Sequence, residues 1–158
     1  MSDVLTRRRL LSALAAAGAG GIAGCGGGGG QAVGPTTSDP PTLTATPSYD
    51  GWVGDVPTYD RLDADRITVY TGVQGNGGYF AYEPVAVAIT PGTEVVWRWT
   101  GRGGVHNVVG LDRDFRSELV GEEGHTYSYT FQEPGVVKYY CGPHRSRGMR
   151  GIILVREA

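Results

Sequence analysis

From residue 49 onward the chain is broken at short intervals by glycine- or proline-bearing turn signals, and the runs between them hold only five to seven residues. Those runs are Ile67 to Thr71, Val85 to Ile89, Glu94 to Thr100, Val105 to Val109, His125 to Phe131, Val136 to Cys141 and Gly151 to Val155, all rich in β-branched and aromatic side chains. Pro91-Gly92, Gly101 to Gly104 and Pro134-Gly135 punctuate them. Segments this short suit strands and leave no room for a long amphipathic helix. The pattern therefore predicts an all-β fold, an antiparallel sandwich, with helix limited to a turn or two around Asp112 to Leu119.

Within these runs the alternation assigns faces. Val137, Tyr139 and Cys141 fall on one side of their strand and Lys138 and Tyr140 on the other, so Cys141 is expected to point inward at a strand end. By the same period His125, Tyr127, Tyr129 and Phe131 share a core-facing side, opposite Thr126, Ser128 and Thr130.

The first 48 residues are of another kind. Thr6-Arg7-Arg8-Arg9-Leu10-Leu11 precedes a small-residue, apolar run to Ile22 that is too short to span a bilayer. Paired arginines before such a run resemble a twin-arginine export signal, and Ile22-Ala23-Gly24-Cys25 resembles a lipobox. We expect residues 1–24 to be a signal peptide and Cys25 to be lipidated. Residues 25–48, dominated by Gly, Pro, Thr, Ser and Ala, then form a flexible, disordered stalk reaching some 25 Å, by the scaling of glycine-rich chains. The folded domain is expected over 49–158. Its place is the extracytoplasmic face of the cell membrane, held through lipidated Cys25, although one acyl chain alone anchors only marginally.

Removing residues 1–24 takes away Asp3 and three arginines and leaves 15 acidic against 11 basic side chains. Mild acidity without a basic stripe speaks against nucleic-acid binding. Cys25 and Cys141 stand in such different contexts that no disulfide is expected between them.

The chemistry sits near the C-terminus. Cys141-Gly142-Pro143-His144-Arg145-Ser146-Arg147-Gly148-Met149 places a thiol, an imidazole and a thioether in one loop, stiffened by Pro143, with Gly142 and Gly148 permitting tight turns. His106 would arrive from another strand. Two imidazoles, a thiolate and a weak axial thioether make the blue-copper ligand set, which satisfies neither Cu(I) nor Cu(II) so well that the other becomes inaccessible. Zinc gains little from a thioether, which makes Met149 the residue that separates the two metals.

At these positions the chain resembles the cupredoxins and, within them, the halocyanins. The resemblance rests on Tyr49-Asp50-Gly51-Trp52, Gly75-Asn76-Gly77-Gly78, Pro91-Gly92-Thr93, Trp97-Arg98-Trp99-Thr100-Gly101, His106-Asn107-Val108-Val109, and Tyr139-Tyr140-Cys141-Gly142-Pro143-His144 through Gly148-Met149. It covers residues 49–158. It implies a Greek-key sandwich, one type 1 copper bound by His106, Cys141, His144 and Met149, and one-electron transfer between redox partners. It also implies that Asn107 ties the two ligand-bearing segments together and hydrogen-bonds near the thiolate sulfur. The composition departs from the halocyanins, which are usually far more acidic.

No enzymatic role is expected, since a second copper site would need histidines and only His125 remains, read here as a strand-end hydrogen-bonding residue. A copper store or chaperone is the alternative reading, but it would favour Met-rich or Cys-rich tracts, and Met1 and Met149 are the only methionines. The family precedent makes His144 the exposed ligand. Arg145, Arg147 and Arg150 around it, with Arg102 ahead of His106, offer either a docking surface for an acidic partner or a set of locally paired arginines. Tyr140, outward-facing beside Cys141, is a second conceivable electron exit.

Overall fold

The computed structural model describes residues 40–158. Nine strands are present among them: β1 (Thr58–Asp60), β2 (Arg66–Gly75), β3 (Gly78–Glu83), β4 (Ala86–Ile89), β5 (Glu94–Trp99), β6 (Val109–Gly110), β7 (Thr126–Thr130), β8 (Gly135–Tyr140) and β9 (Arg150–Val155). They form two sheets, β1-β4-β9-β8-β6 and β3-β2-β5-β7, whose inner faces enclose the core. The all-β sandwich is as the sequence predicts. Its sheets, however, are mixed and not purely antiparallel: β1 with β4, β4 with β9, and β2 with β5 run parallel. Alternation decides which side of a strand faces inward, and it is blind to the direction of the neighbour. After the β2–β3 hairpin the chain crosses to the other sheet as β4 and returns as β5 beside β2, in the same direction.

Trp97 is the hub of the core. It is fully buried, with Tyr139, Phe115, Tyr127 and Phe131 packed around it at centroid separations of 5.4, 5.8, 5.8 and 6.4 Å. Val137, Tyr139 and Cys141 all point inward and are buried, as the period predicts, while the aromatic side of β7 is half-buried and closes the core's edge. β4 is buried at every position. Its outer face and that of β9 are covered by the stretch just before β1, where Tyr49 packs with Ala86 and Ile152, and Trp52, Val53 and Val56 lie against them.

Three local expectations give way to physical causes. Asp112 to Leu119 contains no helix; Phe115 and Ser117 are buried and Arg116 is exposed, a period of two, and Val109 bridges Arg116. The run Val105 to Val109 is strand only at Val109, because Gly101, Gly103 and Gly104 take positive φ and turn the chain before His106, which makes an isolated bridge to Val120. β1 and β3 emerge where no strand is expected from the sequence. Residues 1–39, which include the signal peptide, Cys25 and most of the stalk, lie outside the described residues. Within the expected stalk, the Leu43 N–H donates to the Thr58 carbonyl and the Asp60 N–H to the Pro41 carbonyl, both at 2.8 Å, so pairing onto β1 begins well before residue 49.

Trp97→Ala should destabilise the domain by about 3–5 kcal/mol, the range for emptying a large aromatic site in a close-packed core. Val136→Ala, on the exposed side of β8, should cost under about 0.5 kcal/mol. Urea unfolding of both variants measures the difference.

Candidate metal centre

The sequence places its four candidate ligands on two segments, and the fold brings those segments together at one end of the sandwich. His106 follows the glycine-rich turn after β5 and is held by a reciprocal pair of backbone hydrogen bonds with Val120, at 2.8 and 2.9 Å. Its carbonyl accepts the Trp99 indole N–H at 3.2 Å. Cys141 stands at the end of β8. The loop beyond it folds on itself: the Cys141 N–H donates to the Met149 carbonyl at 3.0 Å, and the N–H groups of Arg147 and Met149 donate to the His144 carbonyl at 3.0 and 3.2 Å. A single 3-10 turn, Arg145–Arg147, closes it, with Gly148 in the left-handed region at φ 92° that favours glycine.

Three donor atoms converge. His106 Nδ1 lies 3.1 Å from His144 Nδ1 and 3.7 Å from Cys141 Sγ, and His144 Nδ1 lies 3.4 Å from that sulfur. A point equidistant from the three is about 2.0 Å from each, which is the scale of a first-row metal bond to imidazole. A cation at that point would be shared by all three donor atoms. His106 Nε2 donates to the Arg102 carbonyl at 2.8 Å; a carbonyl can only accept, so Nε2 carries the hydrogen and Nδ1 keeps its lone pair for the metal.

Burial tunes the same atoms. It lowers the pKa of His106, against the Arg102 carbonyl hydrogen bond that raises it, and of His144, where the charges of His106 and Arg147 act in the same direction. Both shifts favour the neutral imidazole, the form that binds a metal. Burial raises the Cys141 thiol, while backbone N–H groups of Asn107 and His144, directed at the sulfur, lower it. Metal binding must therefore release the thiol proton, and those two amides stabilise the thiolate that results.

His106, Cys141 and Met149 are fully buried, whereas His144 is half-buried. Among the described residues no carboxylate joins the three-donor group. With the thioether of Met149 buried in the same loop, the four residues form a type 1 copper-like arrangement, and the donor set fits copper better than zinc. His125 stands apart, edge-on to Trp99 at 5.0 Å.

The tie through Asn107 is direct. Its Oδ1 accepts the Gly142 N–H at 2.8 Å, and its carbonyl accepts the hydroxyl of buried Tyr82 at 2.7 Å. The side chain joins the two segments, and the hydrogen bond toward sulfur comes from the main chain. Two further residues escape a reading of the sequence as function. Asn76, at φ 55° in the β2–β3 turn, donates to the Gly148 carbonyl at 3.1 Å and pins the loop just before Met149. Phe80 packs its ring on the His144 imidazole at 4.5 Å. Only the Asn-Gly hairpin signal hinted at the first, and nothing local marks the second.

The arginines of the loop stack on aromatic rings. Arg145 lies over Tyr140 at 4.4 Å and Trp52 at 5.7 Å, Arg150 over Trp52 at 4.8 Å, and Arg147 over Phe80 at 4.8 Å. The ion pairs among the described residues, Arg66–Glu94, Arg113–Glu133 and Lys138–Asp50, include none of them.

Residues 68–156 match the family described as copper binding proteins, plastocyanin/azurin family. The chain belongs to that family. It is similar to halocyanin of Natronomonas pharaonis, with 44% identity over 110 residues, which are 68% of this chain and 63% of that protein, so the match spans just under two thirds of the relative. It is also similar to plastocyanin of Rumex obtusifolius, 30% identical over 94 residues that cover 52% of this chain and 94% of the plastocyanin. Among solved structures, a purple cupredoxin from Nitrosopumilus maritimus is 28% identical, with a TM-score of 0.48 over 56% of this chain and 98% of that one.

Asn107→Leu removes the acceptor for the Gly142 amide at nearly constant volume. The metal-free protein should lose about 1 kcal/mol in urea unfolding. The copper-loaded protein should show a shifted absorption spectrum and reduction potential, because the two ligand segments are no longer joined.

Proposed function

We propose that this chain is a blue copper electron carrier, tethered to the extracytoplasmic face of the cell membrane, that passes single electrons between redox partners. The observation that carries the reading is the convergence of two neutral imidazoles and one sulfur in a loop already braced by its own backbone hydrogen bonds and by Asn76 and Asn107. Copper bound there supplies a one-electron couple between Cu(I) and Cu(II). The residues of the chain hold the ligands where they are in both states, so little rearranges when the charge changes. His144, half-buried where His106 is enclosed, is the ligand through which a partner at this end would couple.

A guanidinium stacked on an aromatic ring keeps its charge while its position is restrained. Arg145, Arg147 and Arg150, so held and without carboxylate partners, support a docking surface for an acidic partner around His144. A storage or chaperone role finds less support, because the donors are enclosed and no exposed methionine or cysteine cluster leads to them among the described residues.

Reconstitution with Cu(II) should produce an intense thiolate-to-copper absorption at about 600 nm. Cys141→Ser should abolish the band, and a Cys141→Ser protein that stays blue would remove the site. Met149→Leu should keep the band and raise the reduction potential, since losing a donor disfavours the oxidised ion. Tethering is tested separately. Intact-mass analysis of protein from its native membrane should show a start at Cys25 carrying acylglyceryl mass, and an unmodified start downstream of Cys25 would refute the anchor.

A further inference from the structure

A groove of about 680 Å³ crosses the outer face of the sheet containing β2, β3 and β5, lined by Tyr70, Gly72, Tyr79, Arg98, Arg102 and Glu123 among others. Its wall includes Arg102, whose carbonyl accepts the hydrogen bond from His106 Nε2. Tyr70 and Tyr79 are 47% and 38% exposed. Tyr70 is the cross-strand partner of Arg98, and Arg102 lies over the Tyr79 ring at 5.3 Å. Neither arginine has an ion pair among the described residues, although Glu123 lines the same groove.

The floor is the informative part. Gly72 takes φ +85° where β2 breaks register between Thr71 and Val73, a bulge of the kind that lets backbone approach closely. A Cβ at Gly72 would stand 3.1 Å from His106 Nε2 and 2.6 Å from the Arg102 carbonyl oxygen. One at Gly103 would stand 2.9 Å from the same Nε2. His106 is only 1% exposed, and the backbone of Gly72, which lines the groove, packs against its ring beside Thr100. The hydrogen bond from Nε2 to the Arg102 carbonyl then links the imidazole directly to the groove's wall. The bulge at Gly72 and two guanidiniums without ion pairs among the described residues thus occur in one groove, whose Gly72 and Arg102 backbone lies against the enclosed ligand.

We propose that this groove is a second electron port: it docks a carboxylate-bearing redox protein on Arg98, Arg102, Tyr70 and Tyr79, and the electron crosses by Gly72, the Arg102 carbonyl and His106. The inference rests on the blue-copper reading above. In the reducing direction one electron leaves the partner, which is oxidised by one unit, and Cu(II) becomes Cu(I); no atom or proton is transferred. Donor and acceptor could then engage different faces. The charge of Arg102 recruits the partner through its side chain, while its main-chain carbonyl holds His106, so the two roles separate by mutation.

The test uses the copper-loaded full chain. Hexacyanochromate(III), a redox-inert paramagnetic trianion, should broaden the NMR signals of Tyr70 and Tyr79 in the Cu(I) protein, and an Arg98→Glu, Arg102→Glu double variant should abolish that broadening while keeping the blue band unchanged. Oxidation of the Cu(I) protein by hexacyanoferrate(III) at low salt should slow about threefold or more in that variant, a loss that high salt erases, as expected for electrostatic recruitment. Arg98→Gln with Arg102→Gln should give a smaller loss in the same direction and guards against a folding defect in the charge reversal. Broadening confined to residues 142–148, or an oxidation rate equal to the parent's in both groove variants when Arg145→Glu with Arg147→Glu does slow it, overturns the port and leaves the carrier intact. A reconstituted parent that is not blue, or does not exchange electrons with hexacyanoferrate(III), overturns the carrier reading and the port with it.

Discussion

Two imidazole nitrogens and a sulfur that aim lone pairs at one point do not gather of their own accord. With His106 Nδ1 and His144 Nδ1 only 3.1 Å apart and Cys141 Sγ within 3.7 Å of both, the arrangement is held by structure outside it. The restraint begins with the Gly142 N–H bonded to Asn107 Oδ1, which joins the loop after β8 to the residue beside His106. It continues through Asn76, which reaches across from the β2–β3 turn to the Gly148 carbonyl, and through the backbone bonds that close the loop on itself. A metal that changes charge in such a frame finds its ligands already placed.

The frame is in turn held by the aromatic core. Tyr82 links the two levels, since its ring packs on Tyr139 at 4.9 Å and its hydroxyl bonds the carbonyl of Asn107. Trp99 does the same on the other side, buried in the core while its indole N–H fixes the His106 carbonyl. These side chains have an apolar body in the sandwich and a polar tip at the ligand segments, so stability of the core and geometry of the site are expressed by the same residues. The outer sheet face is sealed by Tyr49 to Val56, and this places Trp52 between Arg145 and Arg150, beside the ligand loop.

At the surface, charge and aromatic rings occur together. The guanidiniums near the centre are paired with the faces of Trp52, Tyr79, Phe80 and Tyr140 instead of with carboxylates. In a chain that is mildly acidic after residue 24, the metal end is thereby left with uncompensated positive charge in ordered positions. There His144 is half-buried, while His106 is enclosed with the backbone of Gly72 packed against its ring.

The sequence by itself determined the ligand set and the class of fold. Cys141, His144 and Met149 lie within a loop of fixed length, so their proximity is a covalent fact, and the inward face of β8 follows from a period of two that needs no knowledge of neighbours. Short runs between turn signals were enough to call for a sandwich. Strand direction, the bridge that replaces a helix at Phe115 to Ser117, and the strands β1 and β3 were not legible, because each depends on a partner distant in the chain that offers its edge or its face. For the same reason only the tertiary structure decided that Asn76 and Phe80 belong to the metal centre, that the arginines stack on rings, and that Gly72 lies against His106. Most of these contacts join residues 34 to 98 positions apart, and no local pattern encodes which distant surface a side chain will meet.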